Sequence, residues 1–522
     1  MKLTRPALLL TALATALLLA TAPASSAIAA GPSVSWQAAA GDADVDRYFT
    51  QAKTDKKPLL LYWGAKWCPP CNQLKATLFN RADFIAQSRS FVAVSIDGDA
   101  PGAQRLGMRF KVMGYPTMIL FNANGTEITR LPGEVDAAQV MKVLQLGLSS
   151  GRSVKAVLAD AMAGKKLSTN EWRMLGFYGW DTDEQQLVAN TDRAAMLARL
   201  AKASEGSDVE ATTRLWLKSV SELDSGKADP SQLPRLHALL TDPTQARGQM
   251  DVLTNGAPDL IKAFAPQPGR TRTALTADFD TALQQFCRDQ TLSRADRLGA
   301  LLSRVELARM DAPANEMHPS TIPAPLLAEV REQVGRIDRE VTNTYEHQAV
   351  ITGAAQLLAR AGLWSESDEL LKAGLARSHS AYYLMGHLAG NARKQGKKAE
   401  ALHWYKEAFD ASEGPATRLQ WGATYVSALV ALSPEDAAGI EKTTTQLFSE
   451  AGRDPGAFYE RSAMSLKRVT DLLAKWNQGP SQAATVERLR GQLNGVCGKL
   501  SSSDAKAKST CEGLMKPQAR KA

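Results

Sequence analysis

The chain has 522 residues, 44% of them hydrophobic, and a formal charge of +8. That length suggests about three domains, and the composition is ordinary for protein that buries sizeable cores. The basic excess is spread thinly, with no dense Lys/Arg block interleaved with aromatics, which argues against a nucleic-acid partner.

Residues 1–30 carry a secretory signal pattern. Lys2 and Arg5 make a basic start, Ala7 to Ala20 an apolar stretch, and Ala27-Ile28-Ala29 a small-x-small cleavage site. The stretch is short for a bilayer span, an uncleaved anchor being the alternative, and no later segment has the length to cross. The expectation is an exported protein, periplasmic in a bacterium, with no membrane span after signal removal. Outside the cytoplasm disulfides persist. That shapes the reading of the five cysteines, Cys68, Cys71, Cys287, Cys497 and Cys511.

Residues 31–147 alternate strand and helix signals. Asp44 to Lys53 reads as a helix, and Pro58 to Trp63 as a continuous apolar strand buried on both faces. Trp67-Cys68-Pro69-Pro70-Cys71 follows, then apolar residues at helical spacing, Leu74, Leu78 and Phe79. Phe91 to Ile96 is a second strand and Ala103 to Val112 a helix. Thr117–Phe121 and Thr126–Arg130 are strands joined through Asn122-Ala123-Asn124-Gly125, whose Asn-Gly pair marks a hairpin. Val135 to Leu146 closes the unit as an amphipathic helix. From the first strand on, the order β-α-β-α-β-β-α predicts a compact α/β domain.

The dithiol carries the chemistry. A strand before it and a helix after it place Cys68 at a helix N-terminus, where unpaired N–H groups and the macrodipole favour a thiolate. A thiolate attacks disulfides, and a second thiol one turn away can resolve the mixed disulfide. Pro69 and Pro70 stiffen the turn, and Pro70 withholds an N–H the helix has no use for. Zinc needs a second ligand pair, and all six histidines lie outside this domain, so no metal is expected. With no local imidazole, activation falls to the helix terminus and Lys66, unless the region beyond folds over the site.

These residues make the segment similar to the thioredoxin fold. Trp67, Cys68, Pro70 and Cys71 match its Trp-Cys-x-Pro-Cys motif, and Gly114-Tyr115-Pro116-Thr117 matches its cis-proline loop. Asp97 and Gly133 also sit where the family has them. The stretch Leu78 to Phe84, running into Phe91-Val92-Ala93-Val94, resembles the C-terminal domains of bacterial transmembrane disulfide reductases. The resemblance implies that Pro116 is cis, that its loop packs on the nucleophile's sulfur, and that Tyr115 offers backbone groups to a substrate strand. Thr117 completes that loop. Trp67 is expected on the docking surface and Trp63 in the core. One departure stands out: the buried acid of thioredoxins is replaced by Tyr62, and its partner lysine by Ala93, so the usual proton relay is missing.

Beyond Ser153 strand signals vanish and Ala, Leu, Arg and Glu dominate. The expectation is an all-α region: a helical domain over 148–310, a Pro-rich linker over 311–325, and tetratricopeptide-like hairpins over 326–480. Breakers fall at Ser225 to Pro234 and Pro266 to Gly269, and Ser433 to Ala437 reads as a further turn. Gly362 and Gly396 stand 34 residues apart, the tetratricopeptide period, with an irregular bundle as the alternative. Trp364, Trp404 and Tyr405 read as core. Cys287 lies in a helical pattern as a small buried hydrophobe. Residues 481–522 form a tail in which Cys497 and Cys511 flank a polar loop and are expected to pair.

The functional expectation is an exported protein thiol–disulfide oxidoreductase, a reductase or isomerase. Cys68 is the nucleophile, Cys71 the resolving thiol, and no cofactor is needed beyond that couple. Its partners would be cysteine-containing clients and an external electron donor or acceptor. The alternatives are a helical scaffold with a thioredoxin-like docking module and, less suited to adjacent thiols, a thiol peroxidase.

Overall fold

The computed structural model describes residues 33–131, 136–183, 186–313, 316–319 and 321–515. The signal segment, Gly133, Val135 and the end of the tail lie outside the described residues.

The apolar run before the cysteines becomes β2 of a five-stranded sheet. In chain order the elements are β1 (Gln37–Ala38), α1 (Asp42–Asp55), β2 (Leu59–Gly64), α2 (Pro69–Ala76), α3 (Ala82–Gln87), β3 (Val92–Asp97), α4 (Ala103–Phe110), β4 (Thr117–Phe121), β5 (Glu127–Leu131) and α5 (Ala137–Ser150). The strand order is β1-β3-β2-β4-β5. β2 runs parallel to β3 and antiparallel to β4.

Successive side chains of a strand point to opposite faces, and a central strand covered on both sides is apolar throughout. Leu60 and Tyr62 accordingly pack with Leu74 of α2, Phe84 of α3 and Val140 of α5. Leu59, Leu61 and Trp63 pack on the other face with Val45 of α1 and Leu106 of α4. The side-chain oxygen of Asn122 accepts the N–H groups of Asn124 and Thr126, closing the β4–β5 hairpin. β1 carries only two residues, too few to show a period, and the sequence reading did not include it.

From Val154 onward every regular element among the described residues is helical. The breakers fall at helix ends: of Ser225 to Pro234, residues 225–232 lie between Val209–Ser221 and Leu233–Thr241 and Pro234 sits in the first turn of the latter, while Pro266 to Gly269 separates Met250–Phe264 from Arg270–Arg288. The Pro-rich stretch lies between Arg294–Ala308 and Ala324–Glu340. It is tied to its surroundings, since Trp364 Nε1 donates to the Met317 carbonyl at 2.7 Å.

Gly362 joins Thr344–Arg360 to Trp364–Gly374, and Gly396 joins Ala381–Lys394 to Lys398–Ala411. Both are left-handed, at φ +80° and +73°, so the 34-residue spacing marks two equivalent helix–turn–helix corners. At Gly362 a Cβ would also come within 3.2 Å of the Met317 carbonyl and the His318 Cα.

Cys497 and Cys511 are disulfide-bonded, linking Pro480–Gly498 to Ala505–Gly513 within an apolar cluster that includes Leu489 and Leu493. Cys287 is a half-buried free thiol on the border of two helical cores. Burial pushes its pKa up to about 11, which disfavours the thiolate at neutral pH.

One buried cation binds the two regions together. Arg130 of β5 is fully buried, with Nε on Glu127 at 2.9 Å. Its guanidinium donates to the carbonyls of Phe110 (2.6 Å) and Lys111 (3.0 Å) at the end of α4, and of Thr182 (3.3 Å) in the helical region. The Gly179 N–H returns a bond to the Arg130 carbonyl at 3.1 Å. Replacing Arg130 with Ala leaves three carbonyls and a carboxylate without their donor. The expected loss is about 3–5 kcal/mol of unfolding free energy, measured by chemical denaturation; a loss below about 1 kcal/mol would contradict this role.

Candidate functional site

Cys68 and Cys71 are paired as a disulfide, with Cα atoms 5.3 Å apart, at the start of α2. Cys68 is the N-cap residue: its backbone is extended and its sulfur accepts the Cys71 N–H at 3.2 Å. Pro69, half-buried, and Pro70, exposed, fill the first turn, where their missing N–H groups leave no orphan. Asn72 is fully buried and clasps the turn, donating from Nδ2 to the carbonyls of Lys66 (2.8 Å) and Cys68 (2.9 Å). Nothing in the sequence singled out Asn72.

β4 begins at Thr117, which pairs with Trp63 across the sheet, so the loop before it lies beside the loop that carries the cysteines. The Tyr115–Pro116 peptide is cis, and Pro116 is buried. The Thr117 hydroxyl donates to the Gly114 carbonyl at 2.9 Å. The Tyr115 phenol accepts from Gln104 Nε2 at 2.8 Å, and its ring centroid lies 6.3 Å from that of Trp67.

The helical region folds over this face. Cys68 is 2% exposed, Cys71 0% and Trp67 8%. They share a cluster with Tyr382 and Ala408, flanked by Tyr383, Met385 and Trp421. The Trp67 indole stacks on Tyr383, with centroids 5.4 Å apart and planes at 20°. Its one N–H is shared between Asp99 Oδ2 and Thr417 Oγ1, both at 2.8 Å. Its carbonyl accepts from Gln348 Nε2 at 3.3 Å. The Arg461 guanidinium sits 5.3 Å from the Trp67 ring and 4.7 Å from the Tyr115 ring. Behind the cysteines, Gln73 Nε2 donates to Ser293 Oγ and Asp296 Oδ1. Trp67, expected on an open docking surface, is therefore on a surface already covered.

Electrostatics follow from the cover. Burial raises the Asp99 carboxyl to about 6, opposed by its hydrogen bonds to Thr417 and Trp67 and helped by Asp97. Burial also raises the Tyr62 phenol, whose oxygen has no partner. It therefore stays protonated at neutral pH and cannot serve there as the base that the missing acid would have been. Lys66 reaches outward to Glu413 at 3.4 Å, an exposed pair at the rim. Burial lowers His379 of the helical region, and repulsion from Lys66 and Lys75 lowers it further, so this imidazole at the site's edge is neutral. Among the described residues, no group of three or more His, Cys, Asp or Glu side chains is placed to hold a metal. No described helix is long and apolar enough to cross a membrane.

Comparison with known proteins agrees with the geometry. Residues 45–147 match the family model for a thioredoxin-like domain. The chain is similar to the thiol:disulfide interchange protein DsbD of Yersinia pestis, 32% identical over 98 residues, which is 18% of this chain and 16% of that protein. It is also similar to DsbD 2 of Pseudomonas aeruginosa, 31% identical over 99 residues, 18% of this chain and 17% of the relative. DsbD of Vibrio vulnificus is 28% identical over 106 residues, 20% of this chain and 18% of the relative. The chain thus spans under a fifth of the length of these relatives, all of it in the thioredoxin-like domain.

Asp99 gives the site a testable pH signature. Its carboxyl binds a proton more tightly folded than unfolded. The stability linked to that proton is therefore complete below about pH 3.8 and lost as pH rises through about 6. Asp99→Asn removes the linkage while keeping an acceptor for Trp67. Relative to wild type, the variant should gain up to about 3 kcal/mol in unfolding free energy between pH 4 and pH 7. Denaturant titrations at each pH measure this, and a pH-independent difference would rule it out.

Proposed function

With residues 45–147 forming a thioredoxin-like domain, we propose that the protein is an exported thiol–disulfide oxidoreductase acting on protein cysteines, as a reductase or isomerase. The observation that carries this reading is the Cys68–Cys71 disulfide at the N-terminus of α2, beside the cis Tyr115–Pro116 loop. In the reducing direction the Cys68 thiolate attacks one sulfur of a client disulfide, forming a mixed disulfide and expelling the client's other sulfur as a thiolate. The Cys71 thiolate then attacks Cys68 Sγ, closing the Cys68–Cys71 disulfide and releasing the second client thiol. The client gains two electrons, and an external dithiol returns two to the couple. In isomerisation a different client thiolate attacks the client sulfur of the mixed disulfide, forming a new client disulfide and expelling Cys68 as a thiolate, with no net change in the client's electrons. Export to the periplasm rests on the signal pattern of residues 1–30, and the helical region would select or hold the client.

A second reading is favoured by one observation. The couple is buried, as a docking module on a helical scaffold would permit. A double Cys68→Ser/Cys71→Ser variant that keeps the full cellular phenotype would favour the scaffold.

The direct test is Cys71→Ala, which removes the resolving thiol. Expressed in its native compartment, the variant should accumulate mixed disulfides that vanish when Cys68 is also replaced. Absence of any Cys68-dependent adduct would overturn the oxidoreductase reading. The direction of traffic follows from the couple's potential: about −270 mV marks a reductant and about −120 mV an oxidant.

A further inference from the structure

The cover over the redox couple comes from four helices of the helical region: Ala381–Lys394, Lys398–Ala411, Pro415–Leu432 and Glu460–Trp476. They present Tyr382 and Tyr383, Ala408, Thr417 and Trp421, and Arg461. Disulfide exchange needs a third sulfur to approach along the line of the bond being broken, and at 2% exposure Cys68 admits none. Either the couple is sealed for good or this face opens.

The chemistry of the face argues for opening. A permanent core favours apolar contacts, because buried charges cost more in desolvation than they return. Cys497–Cys511 lies in such a core. The face over Cys68 adds to its apolar cluster a half-buried carboxylate, Asp99, and a guanidinium laid over two rings. Beyond the aromatic packing, its polar attachments are isolated bonds, Trp67 to Thr417 and the Arg461 N–H to Gln104, and its rim is the exposed Lys66–Glu413 pair, worth little in water.

Two backbone features mark how closely the covering helices are held, and the first carries strain. Glu460, just before Arg461, takes a left-handed φ of +36°, a conformation that is unfavourable for a residue with a Cβ. Gly414, just before Pro415–Leu432, has φ +81° and touches the sheet domain: a Cβ there would lie 2.7 Å from the Asp99 Cβ and 3.2 Å from its carbonyl oxygen.

We propose that the helical region gates the redox couple: thiol–disulfide exchange at Cys68 proceeds only from a state in which the helices carrying Tyr383, Thr417 and Arg461 have lifted off Trp67 and the Tyr115–Pro116 loop. The gate deepens the oxidoreductase reading and rests on it for its purpose. Its existence is measured without any client, so failure to trap a client leaves the gate standing, and failure of the gate leaves the trapping result standing.

The test is alkylation of Cys68 by iodoacetamide in the reduced full-length protein, followed by mass spectrometry of the Cys68 peptide. Wild-type labelling should be at least tenfold slower than that of the same protein unfolded in urea. In sub-denaturing urea it should accelerate with a shallower slope than global unfolding monitored by circular dichroism. Gly414→Ala, which pushes Pro415–Leu432 away from Asp99, and Arg461→Ala should each raise the Cys68 rate at least tenfold without raising that of Cys287. Labelling of wild type as fast as in the unfolded chain means there is no gate. A urea slope equal to that of global unfolding means the face never opens in the folded protein. Either result overturns the proposal, and the slope, read on wild type alone, decides it even if a variant misfolds.

Discussion

At Trp67 the sheet domain meets the helical region over the dithiol, and the indole has one N–H to give. That proton lies between Asp99 of the sheet domain and Thr417 of the helical region, at the same 2.8 Å from each. The ring stacks on Tyr383, and the backbone carbonyl is taken by Gln348. Because Cys68 is the next residue, the contacts that fix Trp67 also hold the start of the dithiol turn. A bare thioredoxin-like domain would leave this ring in water. Here it is desolvated, and a buried indole N–H needs partners. Asp99 and Thr417 supply them, and the burial of Asp99 follows from that requirement.

The proton economy of the site follows from the same burial. Where thioredoxins carry an acid, Tyr62 places a phenol that packs among Phe79 and Trp36. Taken out of water, the phenol holds its proton more tightly than usual. It fills volume on the core face of β2 and leaves base chemistry to other groups. β3 and the loop after it carry two carboxylates, Asp97 and Asp99, the second bonded to Trp67. They act on Tyr62, Tyr115 and Lys75 through the field rather than by contact. A couple activated mainly by a helix terminus suits a site without a local base, because the backbone dipoles need no proton of their own.

The sheet domain was legible in the sequence because its signals are local. The six-residue apolar run could only be a strand covered on both faces, Asn-Gly named a hairpin, and two cysteines two residues apart before a helical pattern named the turn. The 34-residue spacing of Gly362 and Gly396 reported two left-handed corners, since glycine is the residue such corners favour. What escaped was tertiary. Asn72 looks like any polar residue of a helix until it is found facing inward. Thr417 and Arg461 lie some 350 and 394 positions from Trp67, and no periodicity links them to it. The helical region does fold over the site, and it brings His379 within the field of Lys66 and Lys75, which together with burial lowers its pKa.

The attachments of α2 also indicate which side of the cover can move. On its far side α2 is held by Gln73 to Ser293 and Asp296, where the Ser293–Asp296 capping box already fixes the start of Arg294–Ala308. Lys75 lies over the Tyr345 ring at 5.4 Å, and Gln348 of the same helix holds the Trp67 carbonyl while accepting from Ser378. Thr344–Arg360 in turn contributes Val350, Ile351, Leu357 and Leu358 to a continuous apolar core with Leu301 and Val330. Displacing that side would expose a core. The helices from Ala381 onward pack Tyr382, Ala408 and Trp421 on the couple and add one aromatic stack, one shared N–H and one cation over two rings, while Leu384 and Leu388 tie Ala381–Lys394 into that same core. Local opening follows the path that exposes least apolar surface and breaks fewest buried bonds. In the proposed gate the thiol-bearing turn stays held to Thr344–Arg360 through Gln348, and what lifts from Trp67 is the face carrying Tyr383, Thr417 and Arg461, so that the helix terminus at Cys68 is already in place when the face opens.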